Sequence, residues 1–185
     1  SEESGITTDA LMEQAGLAVA RIVYRHLENV AKPSVLILIG PGNNGGDGLV
    51  ASRHLQAWGV TVTACLCTGR PKVDPNLTLA RDASVNIIEF VQQIVPVEFR
   101  EELSKTDLVV DAILGTGKAR PFEEPLPETL LAVQEERTQR SSLTLLALDL
   151  PTGLNANTGG TEPTCLSVDL TVTLGCPKQG LFRFP

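Results

Sequence analysis

Short apolar runs alternating with helix-like segments constrain this chain more than any other feature. The clearest is Ser34 to Gly40 (SVLILIG), apolar without a break, as a strand covered by helices on both faces must be. Val60 to Cys67 (VTVTACLC) puts Val60, Val62, Ala64 and Leu66 on one face by the period of two. Asn86 to Phe90, Asp107 to Asp111, Leu143 to Asp149 and Asp169 to Leu174 read as four further strands. A first helix is expected where Thr7 or Thr8 can cap a stripe of Leu11, Ala15, Ala18 and Ile22. A second follows the first strand, with Ala51, Leu55 and Trp58 inward and Gly59 as its stop. Others are expected over Asn76 to Ser84, Val97 to Lys105 and Pro127 to Thr138. Strands alternating with helices of this length predict an α/β fold, a doubly wound, mostly parallel sheet with helices on both faces.

The 185 residues fit one domain, and 42% hydrophobic with 20% charged residues is ordinary for a packed core. No apolar run approaches the ~18 residues of a membrane span. The opening Ser1-Glu2-Glu3 lacks the basic and then apolar stretch of a secretory signal. A formal net charge of −7 argues against nucleic acid or an anionic membrane as partner. Of the four cysteines, Cys65 and Cys67 are expected on opposite faces of their strand, and Cys165 and Cys176 have no C-x-x-C spacing. Free thiols in a reducing, cytoplasmic setting are therefore expected rather than a zinc site.

Ligands of such sheets bind beyond the carboxyl ends of the strands, and three of those ends share a style. They read Gly40-Pro-Gly-Asn-Asn-Gly-Gly-Asp-Gly48, Val110-Asp111-Ala-Ile-Leu-Gly-Thr-Gly-Lys118 and Leu148-Asp149-Leu-Pro-Thr-Gly153. Gly40, Gly42 and Gly45 satisfy G-x-G-x-x-G between a strand and a helix, where backbone N–H groups can meet a phosphate. The segment from Gly48 to Val73 holds no acidic residue, so the ribose-binding carboxylate of an ordinary dehydrogenase is missing. Gly46 stands where a P-loop needs its lysine. Arg70 and Lys72 follow the second strand, on a solvated loop or where a 2′-phosphate would sit, and Lys178 lies at a strand end either within reach of a ligand or in a surface turn.

Asp47, Asp111 and Asp149 are expected to converge on one cavity. Two such charges ~6 Å apart at an effective dielectric of ~20 repel by about 3 kcal/mol. A bound cation, a raised carboxyl pKa, or Lys118 and Arg120 must offset this. Carboxylate, amide and hydroxyl oxygens suit a hard cation, and Asn44, Asp111 and Thr152 supply that set.

The segments GPGNNGGDGLVASRHL, VVDAILGTG, LALDLPTG and DLTVTLGCPKQGL, with Leu11-Met-Glu-Gln-Ala-Gly16 upstream, resemble the NAD(P)H-hydrate epimerase family, the YjeF N-terminal domain. The resemblance runs in order from about Gly5 to Phe182 and implies a Rossmann-like sheet, with residues 1–185 forming a single domain that binds NADHX or NADPHX. Such a domain interconverts the R and S epimers of the hydrated cofactors at ring carbon C6. It implies substrate contacts from Asn43, Asn44, Gly45, Gly46 and Asp47, and from Gly115, Thr116, Gly117, Lys118, Ala119, Arg120 and Pro121, with Asp149 holding the ligand. It further implies a potassium ion on Asn44, Asp111 and Thr152, a threonine standing where the family more often has serine. A homodimer through the first helix is implied, as is an ADP/ATP-dependent dehydratase partner, fused or separate; the start without Met and the stop at Arg183-Phe-Pro185 leave both arrangements open.

At C6 the hydrate carries a hydroxyl beside the ring nitrogen. Inverting that hemiaminal needs departure and return of water, or ring opening and closing, and both need proton transfer rather than a redox centre. A carboxyl whose pKa is raised by a neighbouring negative charge can serve as acid and base. Asp149 is the first choice for this catalytic group and Asp47 the second. The alternative is a noncatalytic nucleotide-binding or scaffold module of the same fold, which need not keep Asn44, Asp47, Asp111 and Asp149 together.

Overall fold

The computed structural model describes residues 7–90, 94–116, 122 and 124–183. Its elements are α1 (Thr8–His26), β1 (Ser34–Ile39), α2 (Asn43–Ala57), β2 (Thr61–Leu66), α3 (Pro75–Asp82) and β3 (Asn86–Glu89). They continue as α4 (Val97–Leu103), β4 (Leu108–Ala112), α5 (Leu126–Gln139), β5 (Thr144–Leu148) and β6 (Leu170–Val172). The six strands lie in the order β3-β2-β1-β4-β5-β6, every neighbouring pair parallel. Each expected strand and helix is present, with ends displaced by a residue or two. No helix among the described residues is long and apolar enough to cross a membrane.

The period of two sorts the strands into two cores. Val35, Ile37 and Ile39 of β1, with Val60, Val62, Ala64 and Leu66, pack under α1, α2 and α3. Leu36 and Leu38 face the opposite layer, with Phe99 of α4 and Leu130 and Val133 of α5. Cys65 and Cys67 both belong to this second layer. They therefore share a face, as residues two apart in a strand must, which corrects the expectation of opposite faces. All four cysteines are free.

The first helix departs from its expected stripe. Thr7 caps it, its Oγ1 accepting from the Ala10 N–H at 3.2 Å, but the buried residues are Gly16, Val19, Ala20 and Val23. Leu11 stays 41% exposed. A Cβ on Gly16 would lie 2.5 Å from Val50 Cβ; the small residues thus let α1 press closely on α2, and close approach outweighs the larger apolar stripe. Trp58 likewise caps the C-terminus of α2 at the surface, edge-on to Tyr24 at 5.5 Å, rather than pointing inward. Gly59 at φ +87° is the expected stop.

Between β5 and β6 the chain crosses over without a helix, marked only by an isolated bridge between Leu154 and Thr161. This crossover carries the turn after Asp149, so the third acidic strand end is built on irregular chain anchored at both ends in the sheet.

Candidate functional site

The sheet reverses its winding between β1 and β4, and a crevice opens outside their carboxyl ends. On this crevice the chain from β1 turns into α2 while the chain from β4 turns the other way. Gly40 sits at the fork, where a Cβ would fall 1.8 Å from the Ile113 carbonyl oxygen. No side chain other than hydrogen allows β1 and β4 to end so close together.

A cavity of ≈ 1140 Å3 fills the crevice. Gly42, Asn43, Asn44 and Asp47 line it from the start of α2, Gly115 and Thr116 from the end of β4, Asp149 from the end of β5 and Lys178 from beyond β6. Gly42, the N-cap of α2, contributes no side-chain cap, which leaves the first-turn N–H groups to a ligand. Phe90 and Phe122 supply apolar wall. Gly45 and Gly46 are outside the lining: the first packs on the Gly40 carbonyl, the second against Met12. Their lack of side chains serves helix placement. Gly117, Lys118, Ala119, Arg120 and Pro121 lie outside the described residues.

Of the three aspartates, two meet at the cavity. Asp47 and Asp149 both line it, each 8% exposed. Burial, and then the charge of Asp149, push the Asp47 carboxyl up to about 7. Asp149 adopts φ +68°, a left-handed conformation that aspartate tolerates better than most residues. Its Oδ1 accepts from the Leu174 N–H at 3.2 Å and from the Lys178 ammonium.

Asp111 is the correction. It is 1% exposed and absent from the cavity lining. Its Oδ2 accepts from the Thr152 N–H at 2.7 Å, and its Oδ1 from Thr152 Oγ1 at 2.7 Å and the Ile113 N–H at 3.2 Å. Thr152 Oγ1 in turn accepts from the Leu114 N–H at 3.1 Å. Burial raises the Asp111 carboxyl pKa against the pull of these bonds. A carboxylate that accepts from three donors ties the ends of β4 and β5 together beneath the site, outside the lining of the cavity.

Asn44 stands between these regions. Its Nδ2 donates to the Leu148 carbonyl at 3.1 Å, while its buried Oδ1 has no partner among the described residues. An orphaned buried acceptor is costly and points to a donor or cation. A Cβ on Gly115 would lie 2.9 Å from Asp149 Oδ2 and 3.5 Å from Asn44 Oδ1. The glycine keeps this corner open.

Two residues change meaning. Arg70, a candidate reader of a 2′-phosphate, turns back to the glycine-rich loop. It pairs with Asp74 at 2.5 Å and donates to the carbonyls of Gly40 and Gly42. Arg70 thus braces the loop, its side chain only 8% exposed. Lys178 moves the other way, from an open alternative to a cavity residue paired with Asp149. The only sequence signal for it was its position at the end of a strand.

The Asp47 carboxyl also sets a pH dependence of stability. Because its folded-state pKa of about 7 lies above the ordinary 3.8, the folded protein binds the proton more tightly than the unfolded chain. Stability therefore falls as pH rises from about 4 to about 7 and levels off above. Asp47→Asn is expected to raise stability at pH 8 by roughly 2–4 kcal/mol, or roughly 5–10 °C in Tm, and to match the wild type near pH 4. Thermal melts at the two pH values check this; an equal shift at both would disprove the assignment.

The sequence matches the family described as YjeF-related protein N-terminus over residues 8–180. It is 36% identical over 192 residues to the NAD(P)H-hydrate epimerase of Plasmodium vivax, covering all of this chain and 61% of that protein. It is 35% identical over 190 residues to the bifunctional NAD(P)H-hydrate repair enzyme Nnr of Thermofilum pendens, covering all of this chain and 34% of that protein. The chain thus spans about a third to three fifths of the length of these curated relatives. The crystal structure of a yeast protein, YNL200c, superposes with a TM-score of 0.87 at 25% identity, covering all of this chain and 78% of that one.

Proposed function

The chain belongs to the YjeF-related protein N-terminus family, and from that premise we propose that it is an NAD(P)H-hydrate epimerase, an isomerase that interconverts the R and S forms of NADHX and NADPHX at C6. The observation that carries this reading is the pair of carboxylates, Asp47 and Asp149, on one cavity large enough for a dinucleotide. Inversion at a hemiaminal carbon requires an acid where the hydroxyl leaves and a base where water returns. Asp47, titrating at about 7, holds a proton in a large fraction of molecules at neutral pH and can give it to the departing hydroxyl. Asp149, set against the Lys178 ammonium, can take the proton of the incoming water. Reversing the roles returns the other epimer, so the pair serves both directions. The free N–H groups at the start of α2 receive the pyrophosphate, and Phe90 and Phe122 shield the ring from bulk water.

Potassium suits the oxygens beside the cavity. Asn44 Oδ1 is an acceptor without a partner, Asp111 retains lone-pair capacity beyond its three bonds, and Thr152 Oγ1 contributes a third hard oxygen. These residues would hold the ion, whose charge would offset the repulsion among the acidic strand ends. The protein would work as a homodimer in the cytoplasm, beside or fused to an ADP/ATP-dependent dehydratase that consumes the S epimer.

The test is to add purified protein to R-hydrate and follow the epimer ratio by chromatography, in potassium and in its absence. Equilibration faster than the spontaneous drift, and faster with potassium, is expected. A ratio that follows the drift in both buffers would favour the scaffold alternative. Potassium is also expected to raise the Tm of the unliganded protein above that in choline chloride, by binding the folded state alone.

A further inference from the structure

Building on the epimerase reading, we infer that Lys178 is a positioning residue, which locks one oxygen of Asp149 so that the other faces the reacting carbon. The lysine sits in the turn after β6, and its side chain is 16% exposed. Its ammonium donates to Asp149 Oδ1, to the Leu174 carbonyl at 2.7 Å and to Thr173 Oγ1 at 3.1 Å. Three donors meet three acceptors, so none is left to grip a phosphate.

On the other side of the pair, Asp149 Oδ1 receives both the Lys178 ammonium and the Leu174 N–H. Among the described residues every hydrogen bond to the carboxyl falls on Oδ1. Oδ2 points over Gly115, in the corner that Asn44 Oδ1 also faces. The carboxylate is split into a held oxygen and a working oxygen. Its backbone is held too: the Asp149 N–H donates to the Val172 carbonyl at 2.8 Å. The chain after β5 and the turn after β6 together hold the general base from both its backbone and one carboxylate oxygen. Such placement matters because a displacement near 1 Å can cost ~10²-fold in rate.

The experiment compares wild type, Lys178→Met, Asp149→Asn and the double variant in single-turnover assays on R-NADHX, with melting curves for each. Lys178→Met is expected to lower kcat about 10- to 100-fold with KM within about threefold, and to cause little further loss in the Asp149→Asn background. Lys178→Gln, which keeps hydrogen-bond donors without the charge, is expected to fall between. A rise in KM with kcat retained would instead mark Lys178 as a substrate contact, and multiplying losses in the double variant would mark an independent role; either overturns the inference. Crystal structures give an arm free of activity: in Lys178→Met the Asp149 carboxylate is expected to leave its place over Gly115, and an unmoved carboxylate refutes the lock. A wild type with no epimerase activity would refute the functional reading, while the structural arm still decides the lock.

Discussion

Asp149→Asn is expected to leave the fold intact and slow epimerisation by roughly 10²- to 10⁴-fold, the range over which a positioned acid or base contributes. The substitution is mild for the backbone, because asparagine shares the tolerance of aspartate for the φ of +68° found here. Its Oδ1 can still accept from the Leu174 N–H, so the turn after β6 keeps its anchor. What disappears is the ability to take a proton from water and the charge opposite Lys178. Lowered kcat at an unchanged circular dichroism spectrum and a Tm within a few degrees of wild type would confirm the assignment. Full activity would remove Asp149 from the mechanism and leave Asp47 to do the proton transfer alone. Asp149→Ala is a poorer probe, since alanine has no side-chain oxygen for Leu174 and resists the left-handed conformation.

The second large effect concerns stability. Asp111→Ala is expected to cost roughly 3–6 kcal/mol, because it strands three buried donors at once: the Thr152 N–H, the Thr152 hydroxyl and the Ile113 N–H. Against a total stability of about 5–15 kcal/mol for a domain, such a loss lowers Tm by more than about 10 °C or leaves much of the protein insoluble. Asp111→Asn keeps the volume and an acceptor, but it turns an amide N–H2 toward one of the donors; a loss of about half that size is expected. Urea denaturation at pH 7 measures both. Were Asp111→Ala to unfold at the wild-type midpoint, the strand ends would have to be held by something other than this carboxylate.

The two aspartates illustrate how far local reading reaches. Asp111 and Asp149 look alike in the sequence: each ends an apolar strand and runs within a few residues into a Thr-Gly pair. Their fates differ because Thr152, 41 positions further on, supplies two donors to Asp111, whereas Asp149 is met by a lysine 29 positions away. Neither partner is adjacent in the chain, and no periodicity announces them. Arg70 behaves in the same way. Its place after β2 offered a solvated loop or a phosphate reader, yet the Gly40 carbonyl, 30 positions earlier, takes the guanidinium. In α1, hydrophobic stripe and packing face separate because Gly16 admits Val50 at a distance that no larger residue allows.

The amino-acid sequence by itself determined the elements, their alternation, the parallel sheet and the edge at which the cavity opens. Those follow from periodicity, from unbroken apolar runs and from glycine placement, which are properties of neighbours along the chain. Only the tertiary structure decided which aspartates share the cavity, which one ties strand ends together, and that Lys178 pairs with Asp149 while Arg70 braces the glycine-rich loop. Those outcomes rest on hydrogen bonds between side chains and distant backbone groups, and such partners meet only once the strands lie side by side.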